Sequence, residues 1–505
     1  MQLHRTLTLT AAVAAAFAST TPAMASTFAS MSQAGATYLH ATAGGFNAEI
    51  AAYDAQTRTL WVSGVTGVDV LNVAPTGLSF NSRIDLSSFG AINSIAIHNG
   101  IAAFAIESTA NRELPGIVQF YNTSTRSLTS GINSVTVGSL PDMLTFTADG
   151  SKLLVANEGT PNTYPSATDP TGGVSIIRMS DRTVTNVGLG GSIPTTGSGL
   201  RGAVPFNYEP EYIAVNKAGT KAWVTLQEHN AVATLDLTTN QFTGITGLGL
   251  KDYSLTQNAI DSTDRPAGAI LLTPVSLKGA YQPDAVVSYE TGGKTFLVMA
   301  NEGDAQDEDP SGDIARASSI PALGISGNPG RINVIKDMSS AGNVVTMGGR
   351  SFSIRDTDGN IVFDSGNILE AQAIARGIYD DGRSDDKGVE PEGVALQTIN
   401  GRTFAFIGLE RTTKGAVAIF DITDPANSSF VDMIVTNGTK RPEGVVSFAQ
   451  DGMFYLAIAN EGASATDGMS TALYSLAPVP EPETWALLLA GLGVLGLRAR
   501  RQKSR

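Results

Sequence analysis

The chain has 505 residues, of which 54 are Gly, 22 Pro, 42% hydrophobic and only 16% charged, the composition of a turn-rich, mostly β chain that can bury a large core. A formal net charge of −14 argues against nucleic acid and anionic membrane surfaces and favours cations or cationic partners, so polyanion binding would need a local basic patch. With no cysteine, disulfides, thiol catalysis and thiolate metal sites are excluded.

At the N-terminus His4 and Arg5 precede the small apolar run Ala11 to Ala18, and Ala23-Met24-Ala25 offers the small-x-small pattern of a signal peptidase site. Cleavage after Ala25 is expected. The run is too short to span a bilayer, so residues 1–25 read as a signal peptide and 26–477 as the globular part.

From there a unit recurs seven times. Two weaker copies come first: Glu49 to Val62, which lacks a second acid, and Ile95 to Ile97, which turns at Asn99-Gly100 and ends at Glu107. The clear form is Pro-acid, an apolar strand, a Gly-containing turn, a second apolar strand and then Asn-Glu-Gly. Pro141-Asp142 runs through Asp149-Gly150 to Asn157-Glu158-Gly159, and Pro210-Glu211 through Ala218-Gly219 to Gln227-Glu228. Pro283-Asp284 runs through Gly292-Gly293 to Asn301-Glu302-Gly303. Pro391-Glu392 then leads through Asn400-Gly401 to Leu409-Glu410, and Pro442-Glu443 through Asp451-Gly452 to Asn460-Glu461-Gly462.

Each copy reads as a hairpin, because Asp-Gly, Asn-Gly and Gly-Gly supply the positive φ of two-residue turns. A third strand is expected at Val174 to Ile177, Val232 to Leu237, Val417 to Asp421 and Leu473 to Leu476. So small a sheet cannot bury both faces alone, and seven packed radially give an all-β, seven-bladed β-propeller. A pair of β-sandwiches is the competing architecture, but it gives no reason for one acid to recur at the same two points of each unit. Loops and a hairpin are expected to interrupt the pattern between Gly303 and Gly388. A strand within Phe28 to Thr42 is expected to complete the last blade.

In a propeller the two ends of such a hairpin return to one face, so two sets of acids should meet at one rim. One set is Glu49, Asp142, Glu211, Asp284, Glu392 and Glu443; the other is Glu107, Glu158, Glu228, Glu302, Glu410 and Glu461. Asp304 and Asp307 lie in an acidic loop on the same side, as do Asp380, Asp381, Asp385 and Asp386. So many carboxylates repel unless cations, Arg partners or protonation offset them, and hard oxygen ligands suit Ca²⁺ or Mg²⁺. A purely structural rim, with each Glu capping backbone N–H groups or pairing with Arg376, Arg383, Arg411 or Arg441, explains the same pattern. Both readings stay open. Asp356-Thr357-Asp358-Gly359-Asn360 has its Gly two positions too early for an EF-hand loop and reads as a hairpin turn. No Gly-x-Ser-x-Gly elbow or phosphate-cradling loop is present. His229, next to Glu228, is the one histidine near the rim.

The Asn-Glu-Gly repeats, the string from Gly382 to Gly393 (Gly-Arg-Ser-Asp-Asp-Lys-Gly-Val-Glu-Pro-Glu-Gly) and Arg350-Ser351-Phe352-Ser353-Ile354 resemble the choice-of-anchor I family over about residues 35 to 477. That family groups surface proteins with interchangeable C-terminal anchors. It is similar to the mesenchyme-specific cell surface glycoprotein and to some large alkaline phosphatases. The resemblance implies a surface propeller and carries no catalytic residue with it. At the C-terminus Pro480-Glu481-Pro482, the apolar stretch Trp485 to Leu497 and a basic end resemble the PEP-CTERM signal, over 478–505. An apolar helix of about 14 residues rises about 21 Å, short for a hydrocarbon core near 30 Å. This resemblance implies processing by an exosortase, a membrane-held stage before it, and export to the surface of a bacterium that makes exopolysaccharide, itself a candidate partner. Two classes of function remain. One is a binding or structural protein with an acidic, calcium-competent rim. The other is a metal-dependent phosphoesterase in which Arg383, Arg411 and Arg441 hold the anion.

Overall fold

Every copy of the repeat forms an antiparallel hairpin. Ala51–Asp54 pairs with Thr59–Gly64, Ile92–His98 with Ile101–Ile106, Pro141–Phe146 with Lys152–Asn157 and Ile213–Val215 with Lys221–Leu226. Val286–Thr291 pairs with Lys294–Asn301, Pro391–Ile399 with Arg402–Leu409 and Pro442–Gln450 with Met453–Asn460. At Asn99-Gly100, Asn400-Gly401 and Asp451-Gly452 both turn residues have positive φ, the conformation that lets a two-residue loop follow the twist of its strands. The computed structural model describes residues 31–40, 48–164, 166, 168–202, 207–306, 312–462 and 469–476. The expected signal peptide, Asp307 and the sorting segment with Pro480, Glu481 and Pro482 lie outside them.

Added strands extend these hairpins into seven sheets of four or five strands each. The third strands anticipated from the sequence are Gly173–Arg178, Ala231–Asp236, Gly415–Asp421 and Ser470–Leu476. Each first strand lies beside the first strands of the sheets before and after it, and Pro442–Gln450 of the last sheet lies beside Ala51–Asp54 of the first. The second strands are apolar on both faces, and period-two alternation sends successive side chains to opposite neighbours. In Lys152–Asn157, Leu153 and Val155 join a core shared with Phe104 and Phe120 of the second sheet, whereas Leu154 and Ala156 join one shared with Val224 and Leu235 of the fourth. Phe404 and Phe406 pack with Leu456 and Tyr474 of the last sheet, while Ala405 and Ile407 pack with Phe352 and Ile354 of the fifth. Each fully buried Leu, Val or Phe contributes roughly 1.5–3 kcal/mol, so the hydrophobic cores lie between sheets.

The N-terminal segment completes the last sheet. Ser32–Gln33 and Tyr38–Leu39 both pair antiparallel with Ser470–Leu476. His40 fastens this seam: its Nδ1 lies 2.8 Å from Asp69 of the first sheet and its Nε2 2.8 Å from Thr471 of the last.

The fifth sheet carries the interruptions. Between Lys294–Asn301 and Ser351–Asp356 lies a ribbon of Ile314–Arg316 and Asn333–Ile335, and after Ile361–Asp364 comes the α-helix Ile368–Ala375. A further excursion was not expected from the sequence. Leu250–Asp252 pairs with Lys278–Ala280, which in turn pairs parallel with Val345–Thr346, over a core that includes Tyr253, Ile260, Leu277, Ile332 and Val344. Asp356 to Asn360 is a hairpin turn: the Asp356 carboxylate accepts from the Asp358 and Asn360 backbone N–H groups at 3.0 and 2.9 Å.

Candidate functional site

A local distortion aims the first acid of the repeat. Pro141 pairs with Asn157 but Leu144 with Val155, so two residues, Asp142 and Met143, face one on the partner strand. The same shift falls between Pro391 and Val394 and between Pro442 and Val445, at Glu392 and Glu443. Such bulges bend the strand and turn a side chain out of the ladder. The residue before the proline is also unusual: Leu140, Gln282, Glu390 and Arg441 have φ of 44, 43, 49 and 53°, a left-handed conformation costing non-glycine residues on the order of 1–3 kcal/mol. Their carbonyls accept from the N–H groups of Glu158, Gly303, Glu410 and Glu461 at 2.9–3.0 Å. One backbone bond thus ties the start of each hairpin to its end and holds the two acidic positions together. The Asn of Asn-Glu-Gly has a structural task, since buried Asn157 accepts from the Gly138 N–H at 2.9 Å and donates to Ser175 at 3.0 Å.

These hairpin ends surround a cavity of about 710 Å³. Glu49, Asp142, Glu211, Asp284, Glu392 and Glu443 line it, joined by Glu302, Glu410, Glu461 and Asp304. Three residues of the expected rim stand elsewhere. Glu158 and Glu228 are not among the residues lining the cavity, and Glu107 lines a separate surface depression with Arg112. Burial is the main cause of every upward carboxyl shift here, with neighbouring acids adding to most of them. It pushes Glu49 up to about 9, Glu410 to about 8, and Asp142 and Glu443 to about 7. Glu158, Glu211, Glu228, Asp284 and Glu392 are held well above the usual carboxylate range. Glu443 is the neighbouring acid that raises Glu392 most.

One wall contains cations. Lys387 donates to Glu302 at 2.8 Å and lies 3.1 Å from Glu390 and 3.8 Å from Asp304. Arg383 reaches Glu390 and Asp386, each at 2.7 Å, and Arg411 reaches Glu410 at 2.9 Å. Arg441 pairs with Glu461 at 3.6 Å but does not line the cavity. Arg376 lies away from the cavity lining, against Asp432. The acidic stretch 380–386 is mostly tied down: Asp385 pairs with Arg316 and Arg331, Asp381 accepts from the Gly268 N–H, and only Asp386 lines the cavity. His229 is buried edge-on against Tyr208 and does not reach the cavity.

Sequence reasoning missed Lys387, Glu390 and Glu209. Glu390 is fully buried, and buried Glu209 accepts from the Tyr164 hydroxyl at 2.6 Å and from Gln306 at 2.9 Å. A signal for the two acids was present, because Glu209-Pro210-Glu211 and Glu390-Pro391-Glu392 carry an acid on both sides of the proline. Two groups of carboxylates bring their oxygens within 4.8 Å of one another: Glu302 with Glu390 and Glu410, and Glu392 with Glu410 and Glu443. At that spacing two full charges repel by roughly 3–4 kcal/mol at an effective dielectric of about 20, so neither group holds three charges without protons or cations.

Sheets packed side by side around an acid-lined cavity define a β-propeller, here in a chain that ends in a sorting segment. The chain belongs to the choice-of-anchor I family, whose domain model matches residues 49–425, and the PEP-CTERM protein-sorting motif matches residues 478–502. The protein is therefore exported to the cell surface or extracellular space, and the motif implies processing by an exosortase-type sorting system. None of the curated proteins matches it. Among solved structures it is similar to Kuenenia stuttgartiensis hydrazine synthase, at 11% identity over 84% of this chain and 95% of that one, with a TM-score of 0.48. It is also similar to the β-propeller domain of Myceliophteria thermophila Cps50 (Swd1), at 7% identity over 88% of this chain and 100% of that one, with a TM-score of 0.43. Among the described residues no helix is long and apolar enough to cross a membrane.

Proposed function

We propose that this is a seven-bladed surface propeller whose acidic cavity binds a divalent cation of the calcium type, making it a binding or structural protein of the cell exterior. Seven sheets, with the last first-strand beside the earliest, support the blade count. The observation that carries the cation reading is the cavity's imbalance: twelve carboxyl side chains line it, against Lys387, Arg383 and Arg411. All three of those cations already face acids, so the remaining carboxyls are offset by protons or by an ion from solution. Hard oxygen donors at this density suit Ca²⁺. A ligand that binds only the folded state adds RT ln(1 + [L]/Kd), about 2.7 kcal/mol at a hundredfold excess. Thermal melts of the full chain in EDTA and in millimolar Ca²⁺ test this, with a calcium-dependent rise expected; superimposed melts and no heat of binding would overturn it.

A second reading is favoured by Arg383 and Arg411 standing in the same cavity as the acids. A metal-dependent phosphoesterase needs such a pairing of cation-binding carboxylates and anion-binding guanidiniums. Here both arginines are engaged by Glu390, Asp386 and Glu410, which leaves a phosphate to be held chiefly by a bound metal. Calcium-dependent hydrolysis of a phosphomonoester, lost in Arg411→Ala, is its expected result; its absence leaves the binding protein.

A further inference from the structure

The two carboxylate groups share Glu410 but differ in what faces them. In the first, the Lys387 ammonium lies 2.8 Å from Glu302 and 3.1 Å from Glu390, and Arg411 covers Glu410 at 2.9 Å. Lys387 reaches this point on a braced loop: Arg350, fully buried, donates to the Ser384 and Asp386 carbonyls, both at 2.8 Å, and pairs with Glu370 at 3.1 Å. Gly388 closes the turn at φ 70°, where a Cβ would strike the Glu370 carboxylate and crowd Arg350. In the second group neither Glu392 nor Glu443 makes an ion pair among the described residues. A buried carboxylate oxygen lacks a hydrogen-bond partner in each group, but Glu390 Oε2 has the Lys387 ammonium 3.1 Å away and Glu392 Oε2 has no cation paired with it.

We infer that Lys387 is a tethered cation occupying one of two adjacent divalent-cation positions, Glu302–Glu390–Glu410, so that a free ion enters only at Glu392–Glu410–Glu443. An ammonium at about 3 Å from two carboxylates is the charge and hydrogen-bond equivalent of a hard ion there. It keeps one position filled in any medium and confines exchange with solution to the other. This rests on the cation reading of the cavity, and the ion count separates the two.

The test is the number of Ca²⁺ ions bound per full chain, by calorimetry and equilibrium dialysis. One ion is expected for the unaltered protein, two for Lys387→Met and one for Lys387→Arg. If the unaltered chain and Lys387→Met both bind one, or the unaltered chain already binds two, the tethered-cation inference is overturned while the cation reading stands. If the unaltered chain binds none, the cation reading falls and takes the inference with it. Should Lys387→Met not fold, Glu443→Gln and Glu302→Gln decide on the original loop. Loss of the ion in the first with its retention in the second supports the assignment; the converse overturns it.

Discussion

Glu410 stands between the two carboxylate groups, and its substitution is the most informative single change in the cavity. Glu410→Gln removes a charge from both groups and leaves the Arg411 guanidinium beside a neutral amide. Losing one charged ligand is worth roughly 1–3 kcal/mol, so calcium affinity should fall about tenfold to a hundredfold by calorimetry. Glu107→Gln, in its separate depression, should leave affinity unchanged. Most of the site's acids were legible because a repeat fixes where a side chain goes once one copy is understood. Lys387 was not, because its position depends on a non-repeating loop braced by Arg350 from 34 residues earlier in the chain.

At the scale of single elements, the hairpins were readable from turn chemistry and alternation, and their bounds fall close to the sequence reading. The excursion at 250–281 was not. Its core is assembled from Tyr253, Ile260 and Leu277 with Ile332 and Val344, residues without a period and far apart in the chain. Two elements yield predictions. Deleting residues 26–43 removes both short strands on the outer edge of the last sheet and the His40 contacts to Asp69 and Thr471, so the melting temperature should drop by several degrees or more. An unchanged melt would mean that the edge adds no stability. Arg350→Met leaves Glu370 buried without its partner and frees the loop carrying Lys387. Breaking a buried pair in this way costs about 3–5 kcal/mol, read as a lower denaturation midpoint.

For the whole molecule, the buried acids set how stability varies with pH. Glu49, Glu410, Asp142 and Glu443 titrate at about 9, 8, 7 and 7 when folded, against 4.5 for an ordinary Glu and 3.8 for an ordinary Asp. Unfolded chains release these protons first, so between about pH 4 and about pH 9 the unfolded state binds fewer protons and stability falls as pH rises. Melts in EDTA should therefore shift down by several degrees from about pH 5 to about pH 8.5. Calcium, by replacing the protons, should flatten that slope; a cation-free protein most stable in mild alkali would contradict the account. Composition announced this behaviour only as a net charge of −14, because the collective shift exists only once the hairpin ends are brought together.

The direction of the last strand orients the molecule. Ser470 pairs with Asn460, beside Glu461 of the cavity, whereas Leu476 pairs with Phe454 at the hairpin's far end. The chain therefore runs away from the acidic mouth as it approaches the sorting motif, which begins at residue 478. Were the chain held through its C-terminal end, this strand direction would set the far edge of the last sheet toward the cell and its acidic edge toward the medium.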